Sequence, residues 1–220
     1  MEINTHHIQT TKTARYSTYG ILSSKTKYFW FVLHGSNMLA EQMIYKFKEF
    51  DPETHFVVSP EGLSRFYVNG FGGEVVASWM TKRDRLEEIH DFSVYCSKLF
   101  NTYKTQLPRS SRTIIMGFSQ GGITALRWLH HIKVSVDFLI PYACWIPEDI
   151  NYQEGKSQWN EMCKIYTYGS KDQFLNEKKI KEIESICKAG DLDFYTEVYS
   201  GDHRVDKKQL KKIFKQYIEH

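Results

Sequence analysis

Ser119, Asp172 and His203 have the residue types, and stand in the order, for covalent chemistry at a carbonyl. A serine hydroxyl is a weak nucleophile near neutral pH. It needs a base within hydrogen-bond reach, a group that orients the base, and donors for the developing oxyanion. Ser119 lies in Gly117-Phe118-Ser119-Gln120-Gly121, directly after the apolar run Thr113-Ile114-Ile115-Met116, and Gly121 to His131 reads as a helix. This G-x-S-x-G pattern at a strand-to-helix turn holds the serine in a strained conformation with its hydroxyl pointing out of the sheet edge. The glycines stand where side chains would clash.

Asp172 follows the strand-like Lys164 to Tyr168 in Gly169-Ser170-Lys171-Asp172. His203 follows Phe194 to Tyr199 in Gly201-Asp202-His203. All three residues then occupy loops at the C-terminal ends of strands, where open α/β sheets keep their sites. The pentapeptide alone is weak evidence: with Gly and Ser near ~7% each, chance gives roughly 0.07 matches in a chain this long. Asp172 by itself reads as a turn aspartate, and His203 as a loop histidine. Their joint order carries the reading.

Other residues compete for these roles. Asp202 adjoins His203, but neighbouring side chains rarely face each other. Asp191 and Asp193 precede the last strand and so lie at its wrong end, and His130 and His131 point away from the turn. The oxyanion donors are expected to be two backbone N–H groups, from Gln120 and from Ser36 in His34-Gly35-Ser36-Asn37. Trp79, Met80, Phe118, Trp145 and Phe174, with Phe66 and Tyr67, are candidates for an apolar acyl site or lid. Ordinary core and loop packing is the competing account of each. The stretch Asn69-Gly70-Phe71-Gly72-Gly73 lacks the Lys-Ser/Thr of a phosphate-binding loop and is discounted.

Strand-like and helix-like segments alternate along the chain, as in an α/β protein with a mostly parallel sheet. Strands are expected at Tyr28 to Leu33, His55 to Ser59, Thr113 to Gly117, Phe138 to Ala143, Lys164 to Tyr168 and Phe194 to Tyr199. One or two antiparallel edge strands are expected within His6 to Gly20. Further helices are read at Met38 to Phe50, from Thr81 (as N-cap, paired with Asp84) to about Tyr103, around Ile180 to Cys187 with a stop at Gly190, and from Asp206 to about Ile218. The last carries Lys207, Lys208, Lys211, Lys212 and Lys215. They read as the solvated face of a helix docked on the sheet, with a membrane-surface role as the alternative.

The 220 residues suffice for a single domain, 1–220, and the 41% apolar content is that of a globular chain. A net charge of +3, with both signs interspersed, argues against a nucleic-acid surface. Met1 to Tyr19 is polar, so no signal peptide is expected, and no stretch is long enough for stable membrane insertion. Cys96, Cys144, Cys163 and Cys187 lie far apart and read as reduced cysteines of a cytoplasmic protein. Neither cysteines nor histidines show metal-ligand spacing.

With these residues in view, the chain resembles the phospholipase/carboxylesterase family of α/β-hydrolases, whose best-known members are acyl-protein thioesterases. Gly117-Phe118-Ser119-Gln120-Gly121-Gly122 is similar to that family's elbow, and Leu33-His34-Gly35 to its oxyanion loop. Ser78-Trp79 resembles its pair before a long helix, and Trp145-Ile146-Pro147 its aromatic-Leu-Pro. The acid and histidine loops also resemble the family's. The likeness spans roughly residues 28 to 220.

The resemblance implies an α/β-hydrolase fold, a mostly parallel central sheet with helices on both faces. It implies a nucleophile at Ser119, an acid at Asp172, a base at His203 and oxyanion N–H groups at Ser36 and Gln120. The reaction it implies is hydrolysis of small-molecule esters or thioesters without a cofactor. The chain departs from the family at Ser36-Asn37-Met38-Leu39, at Ala143-Cys144 and over Glu61 to Val76. These departures bear on the substrate more than on the chemistry. A non-catalytic binding protein on the same fold, or an acyltransferase or peptidase using the same residues, are the rival readings. Dimerisation is left open.

Overall fold

The computed structural model describes residues 3–132 and 134–219. Nine strands alternate with six α-helices among these residues. They are β1 (Tyr16–Tyr19), β2 (Tyr28–Leu33), α1 (Ala40–Ile44), β3 (His55–Pro60), β4 (Ser64–Tyr67), β5 (Val75–Ser78), α2 (Arg85–Lys104), β6 (Arg112–Phe118), α3 (Gln120–His131), β7 (Phe138–Tyr142), α4 (Lys156–Glu161), β8 (Cys163–Gly169), α5 (Glu177–Gly190), β9 (Tyr195–Tyr199) and α6 (Lys207–Ile213).

Seven strands form one sheet in the order β1-β3-β2-β6-β7-β8-β9. β1 pairs antiparallel with β3, and the other neighbours are parallel. Parallel strands are buried on both faces and so read as continuous apolar runs. β2 shows why. Its alternate side chains go to opposite faces: Phe31 meets Phe100 of α2 and Trp128 of α3, while Trp30 meets Phe47, Phe50 and Phe214. Helices therefore cover both sides of the sheet.

The strand order reverses direction between β2 and β6. After β2 the chain leaves toward β3, and after β6 toward β7, so a crevice opens between the C-terminal ends of these two strands. Leu33 and Gly117 are register partners at that crevice.

Several segments differ from expectation. The helix expected over 38–50 is a five-residue α1 followed by a 3-10 turn, Tyr45–Phe47. Thr81 does not cap α2. The helix starts at Arg85 after a left-handed Asp84, and the Thr81 hydroxyl instead donates to Glu88, seven residues on. The edge region contributes one strand, β1. Two elements were not anticipated. One is the separate β4–β5 hairpin, whose four β4 residues are all exposed. The other is the short α4.

The lysine-bearing helix docks through buried Leu210 and Ile213, with Phe214 and Ile218 buried in the π-helical turn that follows it. Lys211 pairs with Glu49 at 2.7 Å and Lys212 with Glu197 at 2.6 Å. The four cysteines are free thiols.

Candidate active site

The turn between β6 and α3 places Ser119 at φ 52°, ψ −122°, a conformation L-residues rarely adopt. Two glycines make it sterically feasible. A Cβ at Gly117 would overlap the Gly121 carbonyl, and one at Gly121 would overlap the carbonyl oxygens of Leu33 and His34. The start of α3 thereby rests directly on the backbone that follows β2. The Ser119 N–H donates to the Tyr142 carbonyl at 2.9 Å, fixing the turn to β7.

The loops after β8 and β9 are joined main chain to main chain. Ser170 N–H donates to Tyr199 O and Lys171 N–H to Gly201 O, both at 2.8 Å. This brings Asp172 and His203 together. His203 Nδ1 lies 2.7 Å from Asp172 Oδ2, and His203 Nε2 lies 3.0 Å from Ser119 Oγ. The second carboxylate oxygen, Oδ1, accepts from the Phe174 N–H at 2.9 Å. The Asp172 side chain is fully buried, against 15% exposure for that of His203. Two rings flank the imidazole: Phe118 with its centroid 4.9 Å away and Phe174 at 4.7 Å, edge-on. Asp202, the competing acid, is exposed and pairs with Arg204.

The other side of Ser119 is the loop after β2. Ser36 is exposed. The next residue, Asn37, has φ 60°, and its N–H donates to Ala77 O at 3.0 Å. His34 is fully buried. The Gly62 N–H donates to its Nε2 at 2.9 Å, so the ring proton sits on Nδ1 and donates to the Gly35 carbonyl at 2.7 Å. Burial holds this imidazole neutral, its pKa pushed down to about 4.

The side chain of Gln120 does work that its sequence position did not reveal. Its carbonyl accepts from Ser78 Oγ and the Trp79 N–H, and its amide donates to Met80 O. Arg127, about two turns further along the same face of α3, is a second link that sequence reasoning missed. It donates to Asp149 at 2.7 Å and contacts Met80 Sδ at 3.0 Å.

Of the side chains expected to line a pocket, Trp79, Met80 and Phe118 are at most 7% exposed and pack inward. Trp145 and Phe174 are about half exposed, both in loops following the C-terminal ends of strands, with the Lys179 ammonium 4.7 Å from the Trp145 ring. Among the described residues no group of three or more His, Cys, Asp or Glu is placed to hold a metal. Among the described residues no helix is long and apolar enough to cross a membrane.

A family model described as Phospholipase/Carboxylesterase matches residues 25–220. No curated protein is significantly similar to the chain in sequence. Its fold is similar to that of Zea mays acyl-protein thioesterase 2, at TM-score 0.70 and 17% identity, covering 92% of this chain and 97% of that one. It is also similar to that of the Bacillus cereus carboxylesterase, at TM-score 0.64 and 13% identity, covering 94% of each chain.

Proposed function

The chain belongs to the phospholipase/carboxylesterase family, and from that premise we propose that it is a serine hydrolase cleaving small-molecule carboxylic esters or thioesters. The observation that carries the reading is the unbroken contact chain Ser119 Oγ, His203 Nε2, His203 Nδ1, Asp172 Oδ2, at 3.0 and 2.7 Å.

In this reading Ser119 Oγ attacks the acyl carbonyl as His203 Nε2 takes its proton. Asp172 holds the Nδ1–H tautomer and stabilises the imidazolium. The N–H groups of Gln120 and Ser36 receive the oxyanion, each worth ~3–4 kcal/mol in the transition state. His203 then returns the proton to the departing alcohol or thiol, and water activated by the same imidazole releases the acid. Every proton has a protein atom to hold it, so the scheme requires no cofactor. The half-exposed Trp145 and Phe174 offer the acyl or leaving group an apolar rim.

Ser119→Ala tests the proposal. Turnover of a p-nitrophenyl ester is expected to fall by roughly 10⁶, with loss of fluorophosphonate labelling. A folded variant with near wild-type turnover would refute the assignment. A panel of esters of graded chain length beside a thioester would rank the acyl groups.

A further inference from the structure

The two oxyanion donors proposed above belong to different elements, Gln120 to α3 and Ser36 to the loop after β2. Such donors act only when held to within about 0.5 Å of the productive geometry. Ser36 itself is exposed, so its position must be set by its neighbours.

One residue is bonded to both sides. The main-chain N–H of Trp79 donates to Gln120 Oε1 at 3.0 Å, and its indole N–H donates to the His34 carbonyl at 2.8 Å. Its ring lies against the His34 imidazole with centroids 5.0 Å apart, and Phe92 of α2 meets it edge-on. The far end of the bridge is equally fixed. Gln120 Oε1 also accepts from Ser78 Oγ at 3.1 Å, and Gln120 Nε2 donates to Met80 O at 2.7 Å. The near end is fixed by the Gly62 N–H on His34. Trp79 is 2% exposed, which leaves its ring little surface for a substrate.

We propose that Trp79 is a positioning residue whose indole N–H fixes the His34-Gly35 peptide plane, and through it the Ser36 donor, relative to the donor on Gln120. Packing alone would need an aromatic ring at this position. The bridge needs a ring that also donates a hydrogen bond to His34, and phenylalanine supplies only the first. The proposal rests on Ser119 being the nucleophile, and the experiment separates the two.

Trp79→Phe in the full chain is expected to lower kcat on p-nitrophenyl acetate about tenfold, less than the ~10²–10³ lost when a donor is deleted. KM should change less than about twofold, because the ground-state carbonyl makes little use of the hole. Affinity for a phenylboronic acid, which mimics the tetrahedral species, should fall by about the same factor as kcat. Gln120→Leu cuts the other end and should act alike. If both act through one bridge, the double variant should lose little more than the worse single variant.

Wild-type kcat in folded Trp79→Phe, a loss confined to KM, or a double loss equal to the product of the singles would each overturn the bridge. Should Trp79→Phe melt below the assay temperature, the kcat and boronate readouts on Gln120→Leu decide alone. A wild-type chain that takes no fluorophosphonate and cleaves no ester overturns both readings. An active, labelled wild type with an unaffected Trp79→Phe overturns only this one.

Discussion

Ser119 has two unlike flanks. On one side stand an imidazole and a carboxylate on two short loops, with His203 still partly open to solvent and Phe174 half exposed beside it. On the other side, in the proposed mechanism, no side chain does chemistry. The proposed donors there are peptide N–H groups, and behind them lies a buried scaffold of His34, Trp79 and Gly62 with His34 wholly buried. Chemistry carried by side chains can hang from loops, because residue identity supplies the function and two hydrogen bonds supply the aim. Chemistry carried by the main chain has no identity to rely on. It depends on buried neighbours that fix peptide planes, and these look like ordinary core.

The largest effect on this contrast should come from the loop side. Asp172→Asn leaves the geometry in place but removes the charge and favours the wrong tautomer, so kcat is expected to drop about 10⁴, the loss known for the equivalent change in a serine protease triad. A drop below tenfold in a folded variant would mean that the acid is not orienting the base.

The scaffold side should show itself in stability against pH. The unfolded chain protonates His34 at the ordinary 6.5, whereas the folded chain keeps it neutral down to about 4. Stability is therefore intact above 6.5, falls as the pH drops through that window, and levels off below about 4. The span corresponds to about 3 kcal/mol at 1.36 kcal/mol per unit. His55, at the start of β3 and so at the other end of the sheet, is also pushed down to about 4 by burial and adds a loss of the same sign. Urea midpoints for His34→Gln at pH 7, 5.5 and 4 should show a shallower decline than wild type. An unchanged slope would mean that His34 is not a buried neutral imidazole.

The smallest effect should come from the exposed ring. Edge-to-face contacts are worth about 0.5–1.5 kcal/mol, so Phe174→Ala should lower kcat/KM by roughly two- to tenfold. A loss beyond a hundredfold would move Phe174 from the rim into the reaction.

The sequence made the loop side legible. Ser119, Asp172 and His203 carry distinctive functional groups and follow strands whose apolar runs are easily seen. The scaffold side was only half legible. Leu33-His34-Gly35 could be read as a loop, but nothing in the order of residues says that His34 takes a bond from Gly62. Trp79 reads as a pocket aromatic because a sequence displays its ring and not the acceptor its N–H will find. The sequence points to Gln120 only for its peptide group, while its carboxamide holds residues 78 to 80 across a sequence gap of some forty residues. The β4–β5 hairpin escaped because its first strand is exposed on both faces, so no alternation of apolar and polar residues marks it. The helix after β2 reads longer in the sequence than it is because its apolar spacing continues into a tighter turn.

The positive φ of Ser119 has an outcome beyond reactivity. Backbone held this way carries a standing penalty on the order of 1–3 kcal/mol, which glycine at the same point would largely escape. The fold would be sturdier with glycine there, and selection for durability alone would discard the serine early.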